Sequence, residues 1–137
     1  MRGADRPLVG EWDGVKYLIV GLGGFLGANA RYILGGWVAE RFGMSFPYGT
    51  LVINVTGSLV LGFFLALTAE RLVVHPNWRL FFAIGFLGAY TTFSTFSYES
   101  VALRHDRSWL LGVTNLAGSV LLGLIAVVAG IALARLI

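Results

Sequence analysis

The sequence predicts an all-α membrane protein whose chain crosses the bilayer four times, with the third helix broken. Three observations predict it. Of 137 residues, 57% are hydrophobic and 12% charged, a balance that belongs to the membrane class and leaves no room for both a bundle and a separate soluble domain. Four apolar runs, at residues 15–39, 48–69, 78–102 and 109–136, alternate with short polar segments; a helix rising about 1.5 Å per residue needs about 20 residues to cross a hydrocarbon core of about 30 Å. The third run also carries hydroxyls, aromatic rings and two glycines in its middle, at residues 85–97. Lipid cannot hydrogen-bond a loosened backbone, so a break there requires protein, water or a bound ion to satisfy the freed groups. That combination suggests a pore lining.

Residues 1–14 mix Arg2, Asp5, Arg6, Glu11 and Asp13 with Pro7 and three glycines. With no periodic apolar face they read as a short, mobile polar leader, and residues 15–137 as a single four-helix domain. Lys16 ahead of an apolar run ending in Ala28-Asn29-Ala30 resembles a signal peptide, but the acids in the leader and the hydrophobicity beyond Ala30 argue against cleavage. In the same run, Gly21 to Gly27 is spaced G-x-G-x-x-x-G with no βαβ unit around it, which is not a dinucleotide loop. Close packing explains it better: Gly23 and Gly27 lie one turn apart, and small residues let helix backbones approach, often in a dimer. Arg31 is costly inside a span. It either snorkels to an interface or borders an aqueous vestibule, where its positive field would attract anions.

Asn54 is the amide of the second run, with Thr50, Thr56 and Ser58 nearby. It reads either as an interhelical hydrogen-bonding residue or as a neutral donor aimed at an anion. His75, beside Pro76 in a polar turn, reads as a solvated loop residue with no second histidine close enough for a metal pair. Beyond the expected break, Phe93, Phe96, Ser97 and Ser100 follow the i, i+3, i+4, i+7 pattern on one helical face, flanked by Ser94 and Thr95. That stripe lines a pore, or it packs its rings and bonds its hydroxyls back to the helix's own carbonyls. Glu99, close to the end of its span, reads as an interfacial charge. In the fourth run Asn115 and Ser119 stand four apart on one face, with Gly112 and Gly118 as packing notches.

Four crossings put both chain ends on one side. That side collects Arg2, Arg6, Lys16, Arg71, Arg79 and Arg135 and the other Arg31, Arg41, Arg104 and Arg107, with the excess confined to the leader. Lys/Arg asymmetry normally fixes insertion, so near balance permits both orientations and an antiparallel, dual-topology homodimer. A bundle this small has little interior for a pathway, which also favours an oligomer. The net charge of +3 is scattered, so nucleic acid is not an expected partner. Absence of cysteine excludes disulfides and thiolate chemistry.

Together, Gly85-Phe86-Leu87-Gly88, the run Thr91-Thr92-Phe93-Ser94-Thr95-Phe96-Ser97, Pro47-Tyr48-Gly49-Thr50, Asn54, Gly27 and Arg31 resemble the Fluc/CrcB family of fluoride channels. The resemblance covers all four spans. It implies an antiparallel dimer in the bacterial inner membrane, with two narrow pores through which fluoride leaves the cytoplasm passively, and a third helix broken near its middle. By the same resemblance Phe93 and Phe96 match the phenylalanines beside the permeating ions and Asn54 the pore asparagine. Ser94, Thr95 and Ser97 match the neighbouring hydroxyl track. Gly88 and Thr91 match the positions whose carbonyls hold a structural sodium ion at the dimer axis, and no organic cofactor is implied. Two positions depart from the pattern: Asn115 stands where many relatives carry serine, and Leu111 where some carry a tyrosine, so the resemblance leaves open the fourth helix's share of the pathway, for which Asn115 is the candidate.

A selective fluoride pore must replace hydration water with donors such as Asn54, Ser94 and Thr95. The positive ring edges of Phe93 and Phe96 suit an anion approached edge-on. A small proton-coupled exporter would need a carboxylate deep in the first span, which has none. A non-conducting assembly subunit would leave the polar run unexplained, and no paired-carboxylate or Ser/His/Asp constellation falls at one depth to suggest an enzyme.

Overall fold

A computed structural model describes residues 14–70, 72–106 and 109–137. The leader expected over residues 1–14 lies outside the described residues except for Gly14, as do Arg71 and Arg107, which entered the count of charges. The described residues are all-helical, with four stretches among them long and apolar enough to span a membrane: Gly14–Phe42, Tyr48–Glu70, Pro76–Leu103 and Trp109–Leu136. The chain is a multi-pass membrane protein.

Helix α1 covers Gly14–Phe42 and α2 covers Tyr48–Glu70. The first ends where Gly43 turns left-handed at φ 80°, a conformation that only glycine adopts without steric cost. Its N–H returns to the Ala39 carbonyl at 2.9 Å. The third span is assembled from pieces: α3 (Pro76–Arg79), a π-helical stretch (Leu80–Leu87), α4 (Gly88–Tyr90) and then α5 (Phe93–Asp106). Pro76 suits the first turn because it lacks an N–H that would otherwise go unpaired. His75 caps that turn, its Nδ1 accepting the Asn77 N–H at 3.2 Å. The fourth span is one uninterrupted helix, α6 (Trp109–Leu136).

Packing follows the small residues. Helix α1 lies along the π-helical stretch and α4, while α2 and α5 both lie against α6. Gly23 and Gly27 face the backbone of Phe81 and Phe86, and Gly85 faces that of Val20 and Gly23. Any side chain at these positions would strike main chain. The glycine face that the sequence offers to a dimer is therefore occupied within the protomer. Gly62 and Gly130 do the same for α2 and α6, meeting the backbone of Val127 and of Leu59 respectively. Water does not drive helices together inside lipid, so such dispersion-rich contacts carry much of the association.

The interior is thin. Ile53, Leu87 and Tyr90 form its buried centre, with Leu34, Val60, Phe82 and Phe86 packed around them. Most large apolar side chains, Phe25, Leu124 and Val128 among them, point outward, as lipid-facing residues do.

Candidate functional site

The third span loses its helical path at Thr91–Thr92. Thr91 is extended at φ −81°, ψ 158°, and helix resumes at Phe93. Gly88, by contrast, stays helical at φ −63°, ψ −35°. Two side chains take the place of the missing backbone pairing. Asn54 on α2 accepts the Thr92 N–H with its Oδ1 at 2.8 Å and donates from Nδ2 to the Thr92 carbonyl at 3.0 Å. Its amide thus acts as a surrogate peptide group. Thr92 in turn caps α5: its Oγ1 accepts the Thr95 N–H at 3.2 Å, the usual hydroxyl-to-third-residue cap.

These bonds redirect the donors that an unbroken helix would send to two carbonyls. The Thr92 N–H would reach Gly88 and the Thr95 N–H would reach Thr91, each four residues back. Both are committed to side chains instead.

The remaining site residues differ in which of their donors stay free. Asn54 keeps one Nδ2 hydrogen after serving Thr92. The Thr92 hydroxyl donates to Thr95 Oγ1 at 3.0 Å, which leaves the Thr95 proton available. Ser94 Oγ lies 3.4 Å from Thr92 Oγ1 and is exposed. Ser97 donates to the Phe93 carbonyl at 2.9 Å and Ser100 to that of Phe96 at 2.8 Å, so these two hydroxyls are bonded back to their own helix. The Phe93 and Phe96 rings stand 5.8 Å apart and tilted by 53°. The face they share runs from outside to inside: Phe93 is 79% exposed on the protomer, Phe96 only 6%.

Asn115 is buried on α6. It donates from Nδ2 to Ser100 Oγ at 2.8 Å and accepts from Ser119 at 3.3 Å, which joins α6 to α5. Leu111 is a neighbour on the same helix without a polar group to add.

Beside the break opens a cavity of 1340 Å³ bordered by Arg31, Thr50, Thr92, Thr95 and Glu99. Thr50 donates to Glu99 Oε1 at 2.9 Å, while Glu99 Oε2 is buried without a hydrogen-bond partner. Arg31 makes no ion pair among the described residues. The cavity is where the break, the spare hydrogen of Thr95 and the Arg31 charge come together. Of the expected site residues only Arg31 and Thr95 line it; Asn54, Gly88, Thr91, Phe93, Ser94, Phe96, Ser97 and Asn115 do not.

Sequence reading missed Thr92, the node of this arrangement, and the Thr50–Glu99 contact. Thr92 carried a signal: a threonine directly before an aromatic-periodic run is a helix N-cap candidate. The Thr50–Glu99 contact joins residues 49 apart, and no local pattern announces such a pair.

Known proteins resemble this chain closely. A fluoride-specific ion channel FluC of Koribacter versatilis is 52% identical over 120 residues, covering 88% of this chain and 95% of the relative. One of Solibacter usitatus is 47% identical over 121 residues, covering 88% and 99%. One of Trichormus variabilis is 50% identical over 120 residues, covering 87% and 88%. Residues 18–131 match the family model described as CrcB-like protein, Camphor Resistance (CrcB), and the chain belongs to that family.

Proposed function

We propose that this chain is the protomer of a fluoride-selective channel, not an enzyme. The channel lets fluoride leave the cytoplasm passively and so lowers its toxicity. The observation that carries the reading is the interruption at Thr91–Thr92, held open by Asn54 in a chain whose relatives bear the fluoride-channel name. A break in a membrane span is costly unless it borders protein or an ion path. The spare hydrogens of Asn54, Thr95 and Asn115, with the hydroxyl of Ser94, supply the kind of neutral donors that replace fluoride's hydration shell. Ser97 joins this track when its hydroxyl turns away from the Phe93 carbonyl. Arg31 borders the cavity and would concentrate anions at its mouth.

The functional unit in this reading is an antiparallel, dual-topology homodimer in the bacterial inner membrane, built from one domain over residues 15–137. Two pores run through it. Exposure of the Phe93 ring on the single protomer supports this, because the partner would complete the wall around it. A structural sodium ion fits the redirected donors described above: the carbonyls of Gly88 and Thr91 are oriented by a chain that no longer pairs them in helical register. Bound there, the cation would supply only charge and coordination, fixing the break without joining permeation. Among the described residues no cluster of three or more acidic or histidine side chains competes for it.

Fluoride efflux from proteoliposomes, with chloride as control, tests the reading. Fluoride release without chloride release is the expected result. Replacing Phe93 or Phe96 by a polar residue should abolish flux while leaving the dimer intact. Wild-type flux in both variants refutes their role, and absence of fluoride flux in the wild type refutes the channel.

A further inference from the structure

The interruption has one anchor on each side, and both come from α2. After it, Asn54 holds Thr92. Before it, Tyr90 reaches Thr56, with their hydroxyl oxygens 2.8 Å apart. Thr56 Oγ1 also lies 2.7 Å from the Val52 carbonyl, to which it donates. A hydroxyl has one proton, so the Tyr90 phenol is the donor in the pair and Thr56 the acceptor.

Burial of the ring does not require this hydroxyl. Tyr90 stacks on Phe86 at 6.0 Å with 9° between planes, and Phe86 on Phe82 at 5.5 Å with 2°. A phenylalanine would continue that ladder. What the phenol adds is direction, because it fixes the end of α4 at one height along α2. Gly57 permits the approach: a Cβ there would come within 3.1 Å of Tyr90 Cδ1 and collide with the Thr91 methyl group. The run Asn54-Val55-Thr56-Gly57 is thus a cradle for Tyr90-Thr91-Thr92. Thr91 itself is bonded only within its own span, its N–H and hydroxyl both donating to the Leu87 carbonyl at 3.0 Å, so with Asn54 alone the end of α4 would have no hydrogen bond to α2 ahead of the break. With two tethers the extended backbone of Thr91 is held from both ends, and with it the directions of the Gly88 and Thr91 carbonyls and of the Phe93 ring.

We propose that the Tyr90–Thr56 hydroxyl pair is a second tether of the break, making both residues positioning residues for the ion pathway; its effect on flux rests on the channel reading above.

The test uses the full chain reconstituted in lipid, with Tyr90→Phe, Thr56→Val, the double variant, and Thr56→Ser, which keeps the hydroxyl. Loss of one hydrogen bond shifts a local opening equilibrium by about tenfold. Backbone amide exchange at Thr91 and Thr92 should therefore rise about tenfold in Tyr90→Phe and in Thr56→Val. It should rise no further in the double variant and should return to the wild-type rate in Thr56→Ser. Fluoride efflux should fall in the same variants and recover in Thr56→Ser. Wild-type exchange in both single variants, additive effects in the double, or failure of serine to rescue would each overturn the tether. If the wild type passes no fluoride the channel reading fails, and amide exchange alone then decides the tether.

Discussion

The third and fourth spans have the same length, 28 residues each, and opposite construction. Helix α6 runs unbroken from Trp109 to Leu136, and its buried Asn115 and half-buried Ser119 add only side-chain bonds to that rod. The third span changes winding over Leu80–Leu87 and goes extended at Thr91. Its backbone is incomplete without Asn54, a residue 38 positions earlier on another helix. The difference shows where polarity sits in each. In α6 it decorates the helix, whereas in the third span it replaces part of the helix. Damage to the contacts of the third span should therefore be felt in both folding and function, and damage around α6 mainly in stability.

The largest effect should come from Gly27→Val. The new side chain would run into the Phe86 backbone, which cannot step aside as a flexible side chain can. Size-exclusion chromatography should show aggregate instead of folded protein. Gly118→Val is the matched control, since nothing lies within 4 Å of that position, and it should elute as wild type. Equal behaviour of the two would break the comparison. Next is Asn54→Leu, which orphans the Thr92 N–H and carbonyl at a cost of about 1–3 kcal/mol each. Fluoride efflux should fall at least about a hundredfold, the factor that about 2.7 kcal/mol corresponds to, and the unfolding midpoint should drop. Asn115→Ala comes third. It removes a 2%-exposed amide and its bond to Ser100, for a loss of about 1–3 kcal/mol, seen as a lower unfolding midpoint and a loss of flux smaller than that of Asn54→Leu. A flux loss matching that of Asn54→Leu would instead put α6 on the ion path as directly as α2.

Much of this was legible in the sequence. The four spans were, because length and apolarity alone decide what crosses a bilayer, and the helices begin and end within three or so residues of the expected limits, as at Phe42 against an expected 39. Asn54 stood out as an isolated amide. Its partner did not, since the bond to Thr92 depends on how two distant helices meet. The π-helical winding left no trace either: Leu-Phe-Phe-Ala-Ile-Gly-Phe-Leu contains no breaker beyond one glycine. The sequence drew attention to Gly85 and Gly88 as weak points of the helix. The interruption lies beyond them, at two threonines, because Gly85 serves close approach to Gly23 and Gly88 keeps helical dihedrals. Threonine can leave a helix where glycine need not, because its hydroxyl caps the next one. The Gly23/Gly27 face was legible as packing, yet whether it served a partner or the same chain was not, as small residues signal proximity without naming what approaches.

The smallest effect should come from the pair that looks most like a lock. Arg135 at the end of α6 donates from Nη2 to Glu70 Oε1 at 3.0 Å and from Nε to Oε2 at 3.4 Å, closing α2 against α6. The geometry is two-pronged, but the side chains are 61% and 44% exposed, so water and salt screen the attraction and fixing two long side chains offsets the rest. The α2–α6 contact has a firmer source in Gly62 and Gly130, whose backbones touch the opposing helix. Arg135→Gln should accordingly leave fluoride efflux and the unfolding midpoint at wild-type values in physiological salt. At low ionic strength a small decrease in the midpoint should emerge, as screening weakens and the wild-type pair strengthens. A drop as large as that of Asn115→Ala in both salts would mean that charge, and not the glycine contact, holds the unbroken half of the molecule together.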